Sequence, residues 1–355
     1  MRFVGGRTKL GWGSAVAPCV EISTSGLSTI HEHNAGDLTA VVDAGVTLSE
    51  LQVKVGSAGQ MLALDPPLGV GDRATLGGIV ATGDSGPLRH RYGSARDLVV
   101  GMTVALSDGT LAKTGGKVIK NVAGYDIAKL FTGAYGTLGA ILGLSVRLHP
   151  LSPTTATAVG RSGDPAALGA AAGRISHARV ELQSLDVRWE EGAGAVLARF
   201  GGASAGEPAR DAAGVMGKQG LETEVVEDDG AIWDAQREAQ RSPGGTVVRV
   251  SGLQTQLAEL LSIAGRLDAR VVGRAGLGLS WVTLPPGPAA AADLEEIRRA
   301  LSPSPCVVLD APEEVRAAVE VWGQPDPAAL VLMRRVKERF DPAGVCAPGV
   351  LAGGI

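Results

Sequence analysis

Three glycine clusters between Gly5 and Gly139 restrict what this chain can fold into more than any other feature. They are Gly5-Gly6-Arg7-Thr8-Lys9-Leu10-Gly11, Thr75-Leu76-Gly77-Gly78-Ile79-Val80-Ala81-Thr82-Gly83 and Gly133-Ala134-Tyr135-Gly136-Thr137-Leu138-Gly139. Glycine lets the backbone approach a ligand closely and adopt positive φ, so that successive N–H groups can face an anion. Each cluster has a threonine close to a glycine, which adds a hydroxyl donor, and a nearby Arg or Lys helps neutralise a phosphate. Any one cluster could be a plain turn. Three together favour a site for a phosphate-bearing cofactor in the N-terminal part. None is the G-x-G-x-x-G dinucleotide fingerprint between a strand and a helix, and there is no Walker lysine motif.

Composition narrows the class. Glycine contributes 51 of 355 residues, about twice the usual share, without a collagen period. Hydrophobic residues make up 45%, which excludes a disordered chain. Aromatics are only 3%, so the core must be built from Ala, Val, Leu and Ile. A net charge of −4 argues against nucleic acid or an anionic membrane surface as partner. Cys19, Cys306 and Cys346 are odd in number and far apart, which excludes a disulfide scaffold and matches no metal motif. No apolar stretch follows Arg2 as in a secretory signal. The longest uncharged runs, Ala275 to Ala292 and Phe131 to Val146, are shorter than the ~20 apolar residues of a membrane span. The expectation is a soluble, cytoplasmic protein without direct membrane insertion, with membrane association through a complex as the alternative.

Local signals give a coarse map. Leu38 to Gly45 reads as a buried strand, and Thr47 with Glu50 as the capping box of a helix running to about Ser57. Asp65-Pro66-Pro67-Leu68-Gly69 must be a loop. Asp97 to Leu106 and Thr110 to Thr114 read as strands joined by an Asp108-Gly109 turn, and Leu138 to Leu148 as another strand. Beyond residue 150 the chain is Ala-rich. Strands are expected at Val180 to Trp189, Thr246 to Val250, Arg270 to Val272 and Leu279 to Leu284. Helices are expected at Pro165 to Arg174, Pro208 to Gln219, Leu253 to Leu267 and Ala290 to Leu301. That is an α+β pattern with an antiparallel flavour. A last helix, Pro327 to Arg339, has Asp326 as its N-cap.

Taken in order, these segments resemble the FAD-binding domain of the vanillyl-alcohol oxidase, or PCMH, type. Within it they are similar to the FAD-binding subunits of bacterial glycolate oxidases. The resemblance covers Met1 to about Pro150 strongly and the rest more weakly. Phe3, Val4, Gly5, Gly6, Arg7, Thr8 and Lys9 resemble the family's pyrophosphate loop. Leu64-Asp65-Pro66-Pro67 matches its flavin-side loop. Gly69, then Thr75, Leu76, Gly77 and Gly78, resemble the second flavin-contacting segment, continued by Thr82, Gly83, Asp84 and Ser85 and by Tyr92 and Gly93. Lys120 to Asp126, then Gly136, Thr137, Leu138, Gly139 and Ile141, complete the set. The resemblance implies FAD as cofactor, bound by these residues. The implied fold class is α+β: a PCMH-type FAD-binding domain of two α+β subdomains over 1–150, an α+β cap domain with an antiparallel sheet on the substrate side over 151–325, and a C-terminal segment, 326–355, returning to the FAD domain.

The departures from the family carry as much meaning as the matches. The family's domain begins with a β-α-β segment before the loop, whereas Met1 sits almost on the loop. The N-terminal part is therefore expected to be truncated, through a start lying upstream or a shortened copy. Arg7 stands where a third glycine is usual, either as a surface residue or as a guanidinium near the pyrophosphate. No histidine lies in the loop or follows Pro66-Pro67, so FAD is expected to be non-covalent. The family's cap segment rich in His, Asp and Asn has as its counterpart Gly273 to Trp281, which offers only Arg274, a cation that could hold a carboxylate. In the closing turn, Phe340 to Gly349, Cys346 and Ala347 replace an apolar residue and an asparagine.

The remaining candidates read as structural. His31 and His33 read as a surface loop without a third metal ligand, and Glu227-Asp228-Asp229 as a loop. His90 is either an acid/base group or part of a solvated loop, and Asp126 a cap of the helix Ile127 to Phe131. No catalytic residue is assigned and no metal site is expected. What the resemblance implies is an FAD-dependent oxidoreductase, the FAD-binding subunit of a glycolate oxidase or dehydrogenase complex that oxidises a small 2-hydroxy acid. Its implied partners are a larger flavoprotein subunit and an iron–sulfur subunit. The alternatives are a stand-alone FAD-dependent alcohol or hydroxy-acid dehydrogenase and a non-catalytic structural subunit with a degenerate flavin site.

Overall fold

The computed structural model describes residues 1–18, 20–116 and 127–355. The chain forms two units, Met1–Leu151 with Pro325–Ile355, and Ser152–Gln324.

In the first unit an antiparallel sheet runs in the order Ile30–Asn34, Thr39–Asp43, Ala140–Arg147, Val99–Ala105, Leu111–Gly115. The helix Leu48–Gly56 starts at the expected capping box, with Glu50 N–H donating to Thr47 Oγ1 and Thr47 N–H to Glu50. Its Leu48, Leu51 and Val55 share one buried face. The helix Leu76–Thr82 adds Leu76, Ile79 and Val80 to the same core, which is largely Ala, Val and Leu. The C-terminal helix Pro327–Phe340 is capped by Asp326, which accepts from the Ala328 and Ala329 N–H groups. It brings Val336 and Phe340 against that core, Phe340 meeting Phe131 edge-on at 5.7 Å. Apart from the sheet, Arg2–Val4 pairs in parallel with Glu21–Ser23, and Gln60–Met61 pairs antiparallel with His149–Pro150.

Two expectations are corrected in this unit. Asp97 and Leu98 belong not to a strand but to the short helix Ala95–Leu98. Ser94 and Asp97 form a capping box there, and the strand begins only at Val99. His31 and His33 lie on the strand Ile30–Asn34 rather than in a loop, His31 beside Asp43 at 2.8 Å and His33 beside Gln60 at 2.9 Å.

The second unit is an eight-stranded antiparallel sheet. Its order is Glu222–Val226, Thr155–Ser162, Ala193–Gly201, Ser184–Glu190, Arg270–Arg274, Leu279–Leu284, Thr246–Ser251, Cys306–Asp310. Helices Pro165–Ser176, Gly206–Gly217, Leu257–Arg266 and Ala290–Ala300 share one core with alternate residues of these strands, such as Leu185, Val187, Val248, Val250 and Val282. The helix Gly230–Glu238 covers part of the opposite face, where Trp233 packs on Val159 and Leu197. Three strands outside the expected set, Thr155–Ser162, Ala193–Gly201 and Glu222–Val226, form one side of this sheet. The first two are rich in Ala and Gly, so their state is decided by their neighbours rather than by intrinsic propensity.

Candidate functional site

The first glycine cluster leaves the strand Arg2–Val4 and runs through a tight path. A Cβ on Gly5 would overlap the Thr75 hydroxyl, and one on Gly6 would fall inside the Arg73 carbonyl oxygen. Gly69, at φ +74°, leaves room for Thr8, whose methyl would lie 2.7 Å from a Cβ there. Gly136, at φ +78°, faces the Phe3 ring. The segment Phe3–Thr8 is thus walled by the second and third clusters, which are themselves joined: Gly133 and Tyr135 N–H donate to the carbonyls of Val80 and Ala81. Sequence spacing held no sign that three clusters so far apart would meet.

The backbone donors differ between the clusters. In the helix Leu76–Thr82 the first-turn N–H groups are already used. Leu76 donates to Val46 O, Gly77 to Ala44 O at 2.7 Å and Gly78 to Thr75 Oγ1. Among the described residues, the N–H groups of Gly5, Gly6 and Arg7 have no backbone partner. Arg7 stands at φ +60°, a conformation that lets successive N–H groups face one concavity. Its guanidinium turns away to Glu21 at 2.5 Å, and Arg2 pairs with the same carboxylate. The Arg2 and Arg7 hydrogen bonds hold Glu21 below the usual carboxylate range.

Lys9, at the end of this loop, is buried against Asp84. They are 5% and 2% exposed, with Nζ 3.2 Å from Oδ2, and neither of those atoms makes a hydrogen bond. Asp84 Oδ1 accepts the Ser85 N–H, and the Trp12 ring lies 5.8 Å from Nζ. Thr82 donates its hydroxyl to Gly78 O. The remaining expected residues have other surroundings. Val4, Leu76, Leu138 and Ile141 are buried, the last three in the main core. Thr137 hydroxyl donates to Ala134 O, and a Cβ on Gly139 would press on Ala105 O. Gly93, at φ +83°, leaves space for the Asp97 carboxylate, and the Tyr92 ring lies 4.7 Å from that of His149. His90 is mostly buried on the short helix Arg89–Tyr92, and burial lowers its pKa. Asp65 accepts the Leu88 N–H on both oxygens, fixing the Asp65-Pro66-Pro67 loop. Lys120 to Asp126 lie outside the described residues, as does Cys19.

The closing turn is tied down from three sides. Lys337 Nζ donates to Thr137 O, Cys346 O and Asp341, and Asp341 accepts from the Val345 and Cys346 N–H groups. The Cys346 thiol is buried, which pushes its pKa up to about 11. Ala347 stands at φ +39° and donates its N–H to Met1 O.

In the second unit Arg274 is wholly buried and does hold a carboxylate, but one of its own chain. It donates to Asp186 at 2.6 Å and to Gln240, and stacks over Trp281 at 4.8 Å. Burial pushes the Asp186 carboxyl up to about 6 against the pull of Arg274. Asp229, in the Glu227–Asp229 loop, is a buried hub. Arg199 donates to both its oxygens, and Thr155 and Thr157 donate their hydroxyls. Nothing in the sequence marks Asp186 or Asp229, because each acquires its role from strands distant in the chain.

The loop Gly5–Lys9 offers the kinds of groups that a pyrophosphate needs. It has consecutive N–H groups without a backbone partner among the described residues, walls that exclude a Cβ, and a buried ammonium with donors to spare. The described residues include no group of His, Cys, Asp and Glu arranged for a metal and no helix long and apolar enough to cross a membrane.

Residues 1–115 match the family model described as an FAD binding domain. The chain is 40% identical over 121 residues to glycolate oxidase subunit GlcE of Escherichia coli (strain K12), covering 34% of each chain. It is 33% identical to a mitochondrial cytochrome-type D-lactate dehydrogenase of Arabidopsis thaliana, over 44% of this chain and 27% of that one. The match therefore spans about a quarter to a third of these relatives. An alkyldihydroxyacetonephosphate synthase structure superposes over 97% of this chain and 71% of its own, with a TM-score of 0.68 at 15% identity, which is a likeness of fold. The N-terminal part of this chain is similar to an FAD binding domain, and that match makes FAD its cofactor.

Proposed function

We propose that this chain is the FAD-binding subunit of a glycolate-oxidase-type complex that oxidises a small 2-hydroxy acid. One observation carries the site assignment. The loop Gly5–Lys9, in which the Gly5, Gly6 and Arg7 N–H groups have no backbone partner among the described residues and Lys9 is buried, is lined by Gly69, Arg73, Thr75 and Gly136. That loop would take the pyrophosphate. Thr82, Gly83, Asp84 and Ser85 continue the cradle, with Gly136 and Thr137 on its other wall. Tyr92, Gly93, Leu138, Gly139 and Ile141 shape it from behind. Attachment is non-covalent, since no histidine stands in the loop. Bound FAD supplies two-electron redox chemistry, and the protein binds and orients it.

The subunit role is supported by the name of the Escherichia coli relative and by the state of Arg274. In the unit Ser152–Gln324, Arg274, the cation that could hold a substrate carboxylate, is already neutralised by Asp186. Substrate oxidation is then assigned to a larger flavoprotein partner, with an iron–sulfur subunit as electron acceptor. The complex is placed in the cytoplasm, with any membrane association made through its partners.

The test is reconstitution. Purified chain mixed with FAD should gain a flavin absorbance band and lose all of it to the supernatant on acid precipitation. Alone it should not oxidise glycolate or lactate with a dye acceptor, and it should restore that activity to a complex lacking it. Turnover by the isolated chain would make it a dehydrogenase in its own right.

A further inference from the structure

The three cations of the first nine residues have different fates. Arg2 and Arg7 are both engaged by Glu21 on the neighbouring strand. Lys9 alone points inward, where its partner is Asp84. The pairing is incomplete: the ammonium and Asp84 Oδ2 are 3.2 Å apart but not hydrogen-bonded. Asp84 Oδ1 is held by the Ser85 N–H. The carboxylate is therefore fixed by its own backbone and does not depend on Lys9 for its position. Lys9, on a four-carbon stem, has three donors and can reorient. A buried carboxylate in a cradle built for an anion opposes that anion, while a buried ammonium attracts it.

We propose that Asp84 is a built-in competitor for Lys9 that FAD displaces. In the cofactor-free protein Asp84 neutralises the buried ammonium. When FAD binds, the pyrophosphate takes Lys9 over, so part of the cofactor's binding energy goes into breaking the internal pair. Asp84 thereby sets how tightly the chain holds FAD. The proposal rests on the reading that the Gly5–Lys9 loop receives the pyrophosphate.

The prediction is a change of opposite sign in the two states of the protein. In Asp84→Asn, Lys9 loses its counter-ion. The cofactor-free variant should melt below wild type, because a buried charge is left uncompensated. The same variant should bind FAD roughly tenfold or more tighter, the worth of a charge-assisted hydrogen bond. Lys9→Met should bind FAD more weakly by a similar factor. The double variant should bind no more tightly than Lys9→Met, since the gain needs Lys9. Asp84→Ser, which also accepts the Ser85 N–H, serves should Asp84→Asn not fold. Binding is read by flavin fluorescence titration. Wild type binding FAD while the Asp84 variants bind equally or less well overturns the proposal and leaves the cradle reading standing. Failure of every protein, wild type included, to bind FAD overturns the cradle reading and the proposal with it.

Discussion

The two units spend their glycines differently. In the first unit the cluster glycines bring backbone against backbone or hydroxyl, as where Gly6 meets the Arg73 carbonyl and Gly5 the Thr75 hydroxyl. Such contacts hold main chain in shape while leaving N–H groups facing outward. In the second unit some glycines make room for apolar side chains instead. A Cβ on Gly160 would lie 2.8 Å from Met216 Sδ and from Leu221, and one on Gly265 3.2 Å from the Trp189 ring. These contacts seal a core that has few aromatics to fill it. Two buried charges can be set beside this. Lys9 Nζ makes no hydrogen bond, whereas Asp229 is hydrogen-bonded through both oxygens. The contrast belongs to those two sites, since Asp186 Oδ1 and Arg274 Nε in the second unit are also without a hydrogen bond.

The largest expected effect tests the sealed unit. Asp186→Ala leaves Arg274 wholly buried without its counter-charge, which should cost about 3–5 kcal/mol. Urea unfolding followed by tryptophan fluorescence suits this, since Trp189, Trp233, Trp281 and Trp322 all lie in the second unit. A loss under about 1 kcal/mol would mean that water reaches Arg274 and that the unit is open.

Next comes a paired substitution. In Gly6→Ala the new methyl meets a carbonyl that cannot move aside. The loop must shift, and FAD affinity should fall roughly a hundredfold, about 3 kcal/mol. In Gly160→Ala it meets the flexible end of Met216. That should cost about 1–3 kcal/mol of stability by overpacking and leave FAD affinity unchanged. Equal effects of both substitutions on FAD binding would erase the distinction.

How much of this was legible depended on how local the cause was. Thr47 with Glu50, and Asp326 before Pro327, cap their helices through neighbours three residues away or fewer, and both could be read directly. Leu279–Leu284 could be read because β-branched and aromatic residues favour a strand by themselves. The strand Thr155–Ser162 could not, because its Ala and Gly residues become a strand only between two partners. Asp97 misled because the same residue that ends a turn also closes a capping box with Ser94. The glycine clusters were visible, but their meeting and the Lys9–Asp84 contact depend on the tertiary fold. Lys120 to Asp126 lie outside the described residues.

The units should also respond to pH in opposite directions. Asp186 is raised from 3.8 to about 6, so its contribution is complete below about pH 4 and is lost as pH rises through about 6. Burial lowers His90 from 6.5, and burial first, then Arg147 and Arg91, lowers His149. Their contributions are complete above pH 6.5 and are lost as pH falls. Amide exchange resolved by segment should therefore show that between pH 4 and 6.5 acid loosens the first unit and tightens the second. In Asp186→Asn the second unit's dependence over that window should flatten.

The smallest effect bears on Arg7, the residue where the first unit is under strain. At φ +60° a residue with a Cβ costs about 1–2 kcal/mol. Glycine removes that strain but adds roughly 0.5–1 kcal/mol of unfolded-state entropy. Arg7→Gly should thus stabilise the first unit by about 0.5 kcal/mol, a rise in melting temperature of about 2 °C for a unit of this size. The exposed pair it gives up is a minor loss, because Arg2 still holds Glu21. FAD affinity should stay within about threefold of wild type, since the guanidinium turns to Glu21 and only the Arg7 N–H, which glycine keeps, faces the cradle. A tenfold loss of affinity would mean that Arg7 leaves Glu21 for the pyrophosphate when FAD binds. The Gly5–Lys9 loop would then have two cations to offer the cofactor, Arg7 beside Lys9.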